Sequence, residues 1–191
     1  RNWLRYRANV MTDFMRRVRA ELDVVAREQG REPIHLTACV LGKVDDNMYF
    51  GLDTGIWVKE GLIDTPIPYS PAPLAMPIAS DIWSDPGQVQ PFVDMVRGTN
   101  CGLSMNVMPR DLGPEEYRRM ASMIYETGAE SLFFWDTDAR CTYQPPWAAL
   151  RRLGNRNEIE DWSKSGEPDL GPTVRSLSNL AGWNMEAIAP G

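Results

Sequence analysis

The chain has 191 residues, of which 43% are hydrophobic and 24% are charged, and its formal net charge is -6. This length allows one substantial core, and the composition is ordinary for a globular protein, which argues against disorder. The acidic balance argues against nucleic acid as a partner, because phosphate binding requires a basic surface, and the lack of an apolar run of about 18 residues argues against a membrane span.

The chain begins with a predicted helix followed by a predicted strand. Apolar residues recur at helical spacing over residues 12–29, and Gly30 suits the C-terminal cap of that helix. Residues 33–41 predict a strand, and residues 42–51 predict a polar loop. The single histidine, His35, lies early in this strand, so a Ser-His-Asp triad is not expected.

A short helix and a second strand are predicted next. Asp53 precedes an apolar segment and is expected to cap the helix through the free N–H groups of its first turn. Residues 63–69 predict a strand, although Pro66 and Pro68 cannot donate backbone hydrogen bonds. Residues 70–85 predict a long loop, and long loops in compact domains are often functional.

The second half repeats the alternation of helix and strand. Residues 89–96 predict a helix and residues 101–109 a third strand. Pro114 suits the first position of a helix, the acidic residues after it suit the positive helix N-terminus, and Gly128 suits its end. We therefore expect a well-defined helix between these two residues.

An apolar run that stops at two carboxylates, residues 130–140, predicts the fourth strand. Its residues 132–135 are apolar without alternation, which suits a strand covered on both faces, as in a parallel sheet. A broken helical region over residues 147–162 follows. We expect residues 1–165 to form one domain and residues 166–191 a tail that packs on it.

The predicted fold class is α/β. Strand beginnings recur at roughly 30 to 40 residues, each separated by a helix, which is typical of a parallel sheet. Four such units are half of a (β/α)8 TIM barrel. A doubly wound open sheet shows the same rhythm but usually carries a glycine-rich phosphate loop, and neither GxGxxG nor GxxxxGK[ST] occurs here.

Residues 50–69 resemble a passage of glycoside-hydrolase-like TIM barrels, the bacterial families related to family-10-like glycosyl hydrolases. The shared pattern is D-x-x-x-W from Asp53, then G-L-I-D ending at Asp64, then P-x-x-Y ending at Tyr69. Residues 136–140 and 150–158 also resemble the last barrel strand of such proteins and the helix after it. The resemblance implies barrel strands five to eight, with strands one to four upstream of this chain.

The resemblance also implies hydrolysis of a glycosidic bond, which requires two carboxylates flanking that bond. This chain departs from the pattern of the large retaining clan, which places a Glu at the end of strand seven. The corresponding segment here, residues 106–110, reads NVMPR and has no Glu. The second carboxylate is therefore not identified.

The candidate site consists of polar and aromatic side chains at the carboxyl ends of the predicted strands, where barrel enzymes keep their sites. In chain order these are Lys43, Asp45, Asp46, Tyr69, Asn106, Arg110, Trp135, Asp136, Asp138 and Arg140, with Trp83 in the long loop.

Asp136 is the preferred acid or base, with Asp138 as the second catalytic candidate. Burial beside Trp135 would raise the pKa of Asp136, and Arg140 or Arg110 would lower it. The alternative is that Asp136 is a structural partner of Arg140.

The remaining candidates would bind substrate. Tyr69, Trp83 and Trp135 either stack on sugar rings or serve as packing residues. Asp45 and Asp46 have no spacing specific to a metal, and neither a metal nor a cofactor is expected.

Cys39, Cys101 and Cys141 are widely spaced and form no CxxC pair, so they indicate neither a disulfide framework nor a zinc site. We expect Cys39 and Cys101 to be buried in strands as small hydrophobic residues. The compartment is left open.

Three interpretations follow. The first is a glycoside hydrolase-type protein acting on a carbohydrate. The second is a noncatalytic carbohydrate-binding protein. The third is an interaction module in which a half barrel pairs with another copy, or with the missing half, to cover its open edges.

Overall fold

The structure is a computed structural model that describes residues 2–69, 86–106, 114–134 and 152–165. Its helices are α1 (Asn2–Glu28), α2 (Val44–Tyr49), α3 (Thr54–Lys59), α4 (Pro86–Val96), α5 (Pro114–Thr127) and α6 (Arg156–Ser165). Its strands are β1 (Thr37–Leu41), β2 (Thr65–Tyr69), β3 (Ser104–Asn106) and β4 (Ser131–Phe133).

The strands pair in twos, and each pair is parallel. In the first pair Leu41 at the end of β1 lies opposite Tyr69 at the end of β2. In the second pair Asn106 at the end of β3 lies opposite Phe133 at the end of β4. The residues before the strands are also joined, because the N–H of Gly102 donates to the carbonyl of Asp64 at 3.0 Å.

The prediction of four βα units of a (β/α)8 barrel is wrong. The described residues form two separate two-stranded sheets, and no barrel-like arrangement of four units is present among them. The strands are shorter than predicted, and β3 and β4 have only three residues each. In addition, Pro66 and Pro68 remove two backbone donors from β2. The chain is a mixed α/β protein.

Most predicted helices are confirmed, with changed boundaries. Asp53 caps α3 as expected, because its carboxylate accepts the N–H of Ile56 at 3.3 Å. α5 begins at Pro114 as expected, and five residues at helical spacing form its buried face: Tyr117, Met120, Ala121, Ile124 and Tyr125. By contrast, α1 begins ten residues earlier than predicted. The prediction that residues 42–51 form a loop is wrong, since α2 lies there.

Two apolar clusters hold these elements together. The larger contains residues of α4, α5 and α6 packed on β3, including Phe92, Met105 and Trp162. The smaller is built around Trp57 and Ile63. The indole N–H of Trp57 donates to the hydroxyl of Thr12 at 3.0 Å, which fixes α1 on α3.

Several predictions concern residues outside the described ranges: the long loop, the end of the third strand, the helix before Gly154 and the C-terminal tail. In the part of the chain that is described, no helix has the length and hydropathy needed to cross a membrane.

Candidate functional site

Five of the predicted site residues lie within the described part of the chain: Lys43, Asp45, Asp46, Tyr69 and Asn106. Lys43, Tyr69 and Asn106 each follow or end a strand, and Asp45 and Asp46 lie in α2. The others lie outside it: Trp83, Arg110, Trp135, Asp136, Asp138 and Arg140.

The end of β1 is held by a buried asparagine. Asn47 in α2 is fully buried, and its Oδ1 accepts the N–H of Leu41 at 2.8 Å. Its Nδ2 donates to the carbonyls of Leu41 at 2.8 Å and Lys43 at 2.9 Å. One side chain therefore satisfies three backbone groups of the turn between β1 and α2, as buried polar groups require. The turn presents the Lys43 side chain to solvent.

The pairing of β1 with β2 brings Lys43 and Tyr69 to the same edge. The N–H of Gly42 donates to the carbonyl of Tyr69 at 2.8 Å, so the backbone of Lys43 lies one residue beyond this contact. Tyr69 is half-buried. The backbones of Lys43 and Tyr69 therefore lie near each other at the carboxyl ends of β1 and β2.

Asn106, the last residue of β3, has an unusual environment. Only 1% of its surface is exposed, and neither its Oδ1 nor its Nδ2 has a hydrogen-bond partner among the described residues. A buried amide without partners costs free energy, and native proteins contain few such groups. Because Asn106 lies opposite Phe133, it belongs to the strand pair from which residues 135–140 continue. The amide of Asn106 therefore lies buried at the end of β3 without a compensating partner among the described residues.

Asp45 and Asp46 are not arranged as a binding or catalytic site. Asp45 and Asp46 lie in the first turn of α2, and both are exposed. Carboxylates at that place stabilise the positive end of a helix. Across the described ranges, no group of three His, Cys, Asp or Glu side chains is arranged to hold a metal ion.

The cysteines and the histidine do not form a nucleophilic site in the described structure. Cys101 is buried as predicted, but it precedes β3 and does not lie in a strand. Its Sγ lies 3.0 Å from the carbonyl of Ile63, and burial raises its pKa. A thiol of this kind is a poor nucleophile, because the thiolate is the reactive form. The prediction that Cys39 is buried is wrong, since it is exposed on β1. His35 Nε2 lies 2.9 Å from the hydroxyl of Thr65, at the start of the strands.

Sequence reasoning missed two polar residues with structural roles, Asn47 at the carboxyl ends of β1 and β2 and Arg19 at their beginning. Asn47 was missed because the sequence of α2 has no apolar stripe and was therefore predicted to be a polar loop. A buried amide is not expected in such a loop. Arg19 was missed because its partner Asp64 lies 45 residues away. The unsatisfied state of Asn106 also has no sequence signal, since it depends on burial by distant elements.

In comparisons with known proteins, no family model matches the chain and no curated protein matches it.

Proposed function

We propose that this protein is a glycoside hydrolase-type carbohydrate-active protein that binds a glycan at the carboxyl ends of its strands. The observation that carries the proposal is the buried amide of Asn106, whose two polar atoms have no partner among the described residues. An amide offers two donors and one acceptor oxygen. Sugar hydroxyls both donate and accept, so a pair of neighbouring hydroxyls is a matching ligand for such a group.

Two aromatic residues that end or follow other strands support the same class of ligand. Trp135 follows β4, the partner of β3, and offers the type of aromatic surface on which a sugar ring stacks. Tyr69 ends β2 and is a second aromatic candidate. Binding sites of this kind combine apolar walls with a few fixed polar groups.

We assign hydrolysis to Asp136 and Asp138. Glycoside hydrolysis uses one carboxylic acid to protonate the leaving oxygen and one carboxylate as nucleophile or base. Asp136 is the proposed acid, because it follows the apolar residues Phe134 and Trp135, and apolar surroundings keep a carboxyl group protonated to higher pH. Arg110, Arg140, Lys43 and Trp83 are the further proposed substrate-binding residues.

A second candidate function is glycan binding without hydrolysis. It is favoured by the identity of Asn106, because an amide cannot transfer a proton at neutral pH. In this case Asn106 binds a ligand at the strand end where a catalytic carboxylate would otherwise be needed.

The proposal is tested on a glycan array, followed by release of reducing ends from whichever glycans bind. We expect the wild-type chain to bind, Asn106→Leu to bind at least tenfold more weakly, and Asp136→Asn to bind without releasing reducing ends. Asp45→Asn, which changes an exposed carboxylate on α2, is the matched control and should behave like wild type.

Each result decides between the candidates. Binding without turnover in the wild type supports the noncatalytic function. Turnover unchanged in Asp136→Asn removes that residue as the acid. Absence of binding to every glycan on the array, or binding unaffected by Asn106→Leu, overturns the proposal.

A further inference from the structure

The exposed large hydrophobic side chains of the described chain are concentrated in two neighbouring helices. Five are on the first half of α1 and two at the end of α2: Trp3, Tyr6, Val10, Met11, Phe14, Tyr49 and Phe50. The exposed fractions of Trp3 and Phe14 are 66% and 57%. Single exposed apolar residues are common, but a contiguous group marks an interaction site.

These residues form one surface, which we call the aromatic face. Trp3, Tyr6, Val10 and Phe14 are spaced three or four residues apart and therefore share one side of α1. The opposite side of α1 faces the body of the protein, as the burial of Ala8 and Thr12 shows. The end of α2 lies beside the aromatic face, because Nη2 of Arg7 donates to the carbonyl of Phe50 at 3.2 Å.

We infer that the aromatic face binds a second copy of this chain, with the two α1 helices antiparallel and the symmetry axis at Val10. A twofold interface brings a surface against itself, so the surface must be complementary to its own reversed image. Tyr6 and Phe14 each lie four residues from Val10, so an aromatic ring of one copy meets an aromatic ring of the other. Trp3 and Arg17 each lie seven residues from Val10, and a guanidinium packs well over an indole.

The apolar surface area of the aromatic face is close to the area that a stable dimer interface buries. An aromatic side chain buries about 150–250 Å² when fully covered, so each of the five aromatic residues at its observed exposure contributes roughly 100–150 Å². With Val10 and Met11, the aromatic face offers on the order of 700 Å² per copy, close to the roughly 800 Å² per partner of a standard interface.

Charge disfavours an anionic partner on this surface. Two arginines of α1 are already bound within the chain. Arg5 binds Asp53 at 2.8 Å, and Arg16 binds Glu60 through two hydrogen bonds of 2.7 and 2.8 Å. Arg17 is exposed on the same side of α1, and in the proposed register it packs against Trp3 of the other copy. The other exposed side chains of the aromatic face are neutral. A nucleic acid or an acidic membrane surface needs several unpaired basic groups, and a single arginine beside aromatic rings suits a second aromatic face better.

Sedimentation equilibrium of the whole chain tests the inference. We expect a reversible dimer of twice 21.6 kDa. Val10→Glu places two carboxylates at the symmetry axis and should weaken dimerisation at least tenfold. Ala20→Glu adds the same charge to an exposed position of α1 beyond the aromatic face and should leave the mass unchanged. Circular dichroism confirms that both variants keep their helices.

Disulfide trapping tests the register. In a background with Cys39 and Cys141 changed to Ser, Val10→Cys should form an intermolecular disulfide on oxidation. Trp3→Cys alone should not, because the axis places its two copies about 21 Å apart along the helices. An equimolar mixture of Trp3→Cys and Arg17→Cys should form the mixed disulfide.

Three outcomes overturn the inference. The first is a monomeric wild type at concentrations up to hundreds of micromolar, a range in which even a weak interface would form. The second is a dimer that Val10→Glu does not weaken, because the interface then lies elsewhere. The third is a monomeric wild type that binds neutral phosphatidylcholine vesicles through Trp3 and Phe14, because the aromatic face then belongs to a lipid surface.

Discussion

Arg19 and Asp64 join three parts of the fold through one carboxylate oxygen. Nη2 of Arg19 donates to Oδ2 of Asp64 at 2.7 Å, and the same oxygen accepts the N–H of Leu36, also at 2.7 Å. Nη1 of Arg19 donates to the carbonyl of Ile34 at 3.1 Å. The pair therefore connects α1 to the segment before β1 and to the start of β2.

The first prediction is that Asp64→Ala lowers the free energy of unfolding by about 2–3 kcal/mol, because it leaves a largely buried guanidinium without its carboxylate and a backbone N–H without its acceptor. The side chain of Arg19 is only 13% exposed. Urea denaturation followed by circular dichroism measures the change. Asp23→Ala is the control: this exposed carboxylate lies 3.6 Å from Arg19, and its removal should cost less than about 1 kcal/mol. Equal costs for the two variants would refute the special role of Asp64.

Local signals in the sequence located the elements that have strong periodicity or a recognisable cap. α5 has five buried residues at helical spacing, and Asp53 caps α3 as its position before an apolar segment indicated. The start of α1 was missed because Trp3, Tyr6 and Val10 lie on the outer side of the helix, opposite Ala8 and Thr12. A helix with apolar residues on two sides lacks the single apolar stripe from which an amphipathic helix is recognised in a sequence.

Long-range features were not visible in the sequence. The alternation of helices and strands gives the order of the elements and fits the parallel pairs β1–β2 and β3–β4, but it does not determine whether these pairs join into one sheet. For this reason the barrel prediction failed although all four strands exist. In the candidate site, too, local features could be predicted and long-range features could not. The positions of Lys43, Tyr69 and Asn106 at strand ends follow from local pattern, while the burial of Asn106 depends on elements far away in the chain.

The second prediction concerns alkaline stability. Tyr125 is buried, its hydroxyl donates to the carbonyl of Leu153 at 2.8 Å, and burial raises its pKa above the ordinary value. Below pH of about 10 both the folded and the unfolded chain hold this proton, so the contribution of Tyr125 is complete. As the pH rises further, the unfolded chain loses the proton first, and the free energy of unfolding falls until the raised pKa is passed.

Tyr125→Phe should remove this part of the alkaline loss and should cost about 1 kcal/mol at neutral pH, where the hydrogen bond to Leu153 is lost. Urea denaturation at a series of pH values from 8 to 11 provides the measurement. Tyr49→Phe, which changes an exposed phenol, is the control and should follow the wild-type curve. A wild-type curve that runs parallel to that of Tyr125→Phe over this whole range would contradict the assignment.

The third prediction compares two glycines with positive φ. Gly51 has a φ of 82°, and a Cβ there would lie 3.2 Å from Cβ of Arg7 in α1. Gly30 has a φ of 58°, and a Cβ there would have no neighbour within 4 Å. Both alanine variants lose about 1 kcal/mol to backbone strain, but only Gly51→Ala must also push α2 away from α1. We expect Gly51→Ala to have the lower melting temperature of the two, measured by differential scanning calorimetry. Equal melting temperatures would show that Arg7 moves aside for the new Cβ without lowering the stability of the fold.

The fourth prediction uses two buried asparagines with opposite hydrogen-bonding states. Asn47 satisfies three backbone groups of the turn after β1, whereas neither amide atom of Asn106 has a partner among the described residues. Asn47→Leu should therefore lower the free energy of unfolding by about 3 kcal/mol, since it leaves those backbone groups unpaired. Asn106→Leu should raise it by about 1 kcal/mol, because a similar volume is filled without burying an unpaired amide. Urea denaturation of both variants gives the two signs. If Asn106→Leu destabilises the fold as Asn47→Leu does, the amide of Asn106 is structural, and it is not held ready for a ligand.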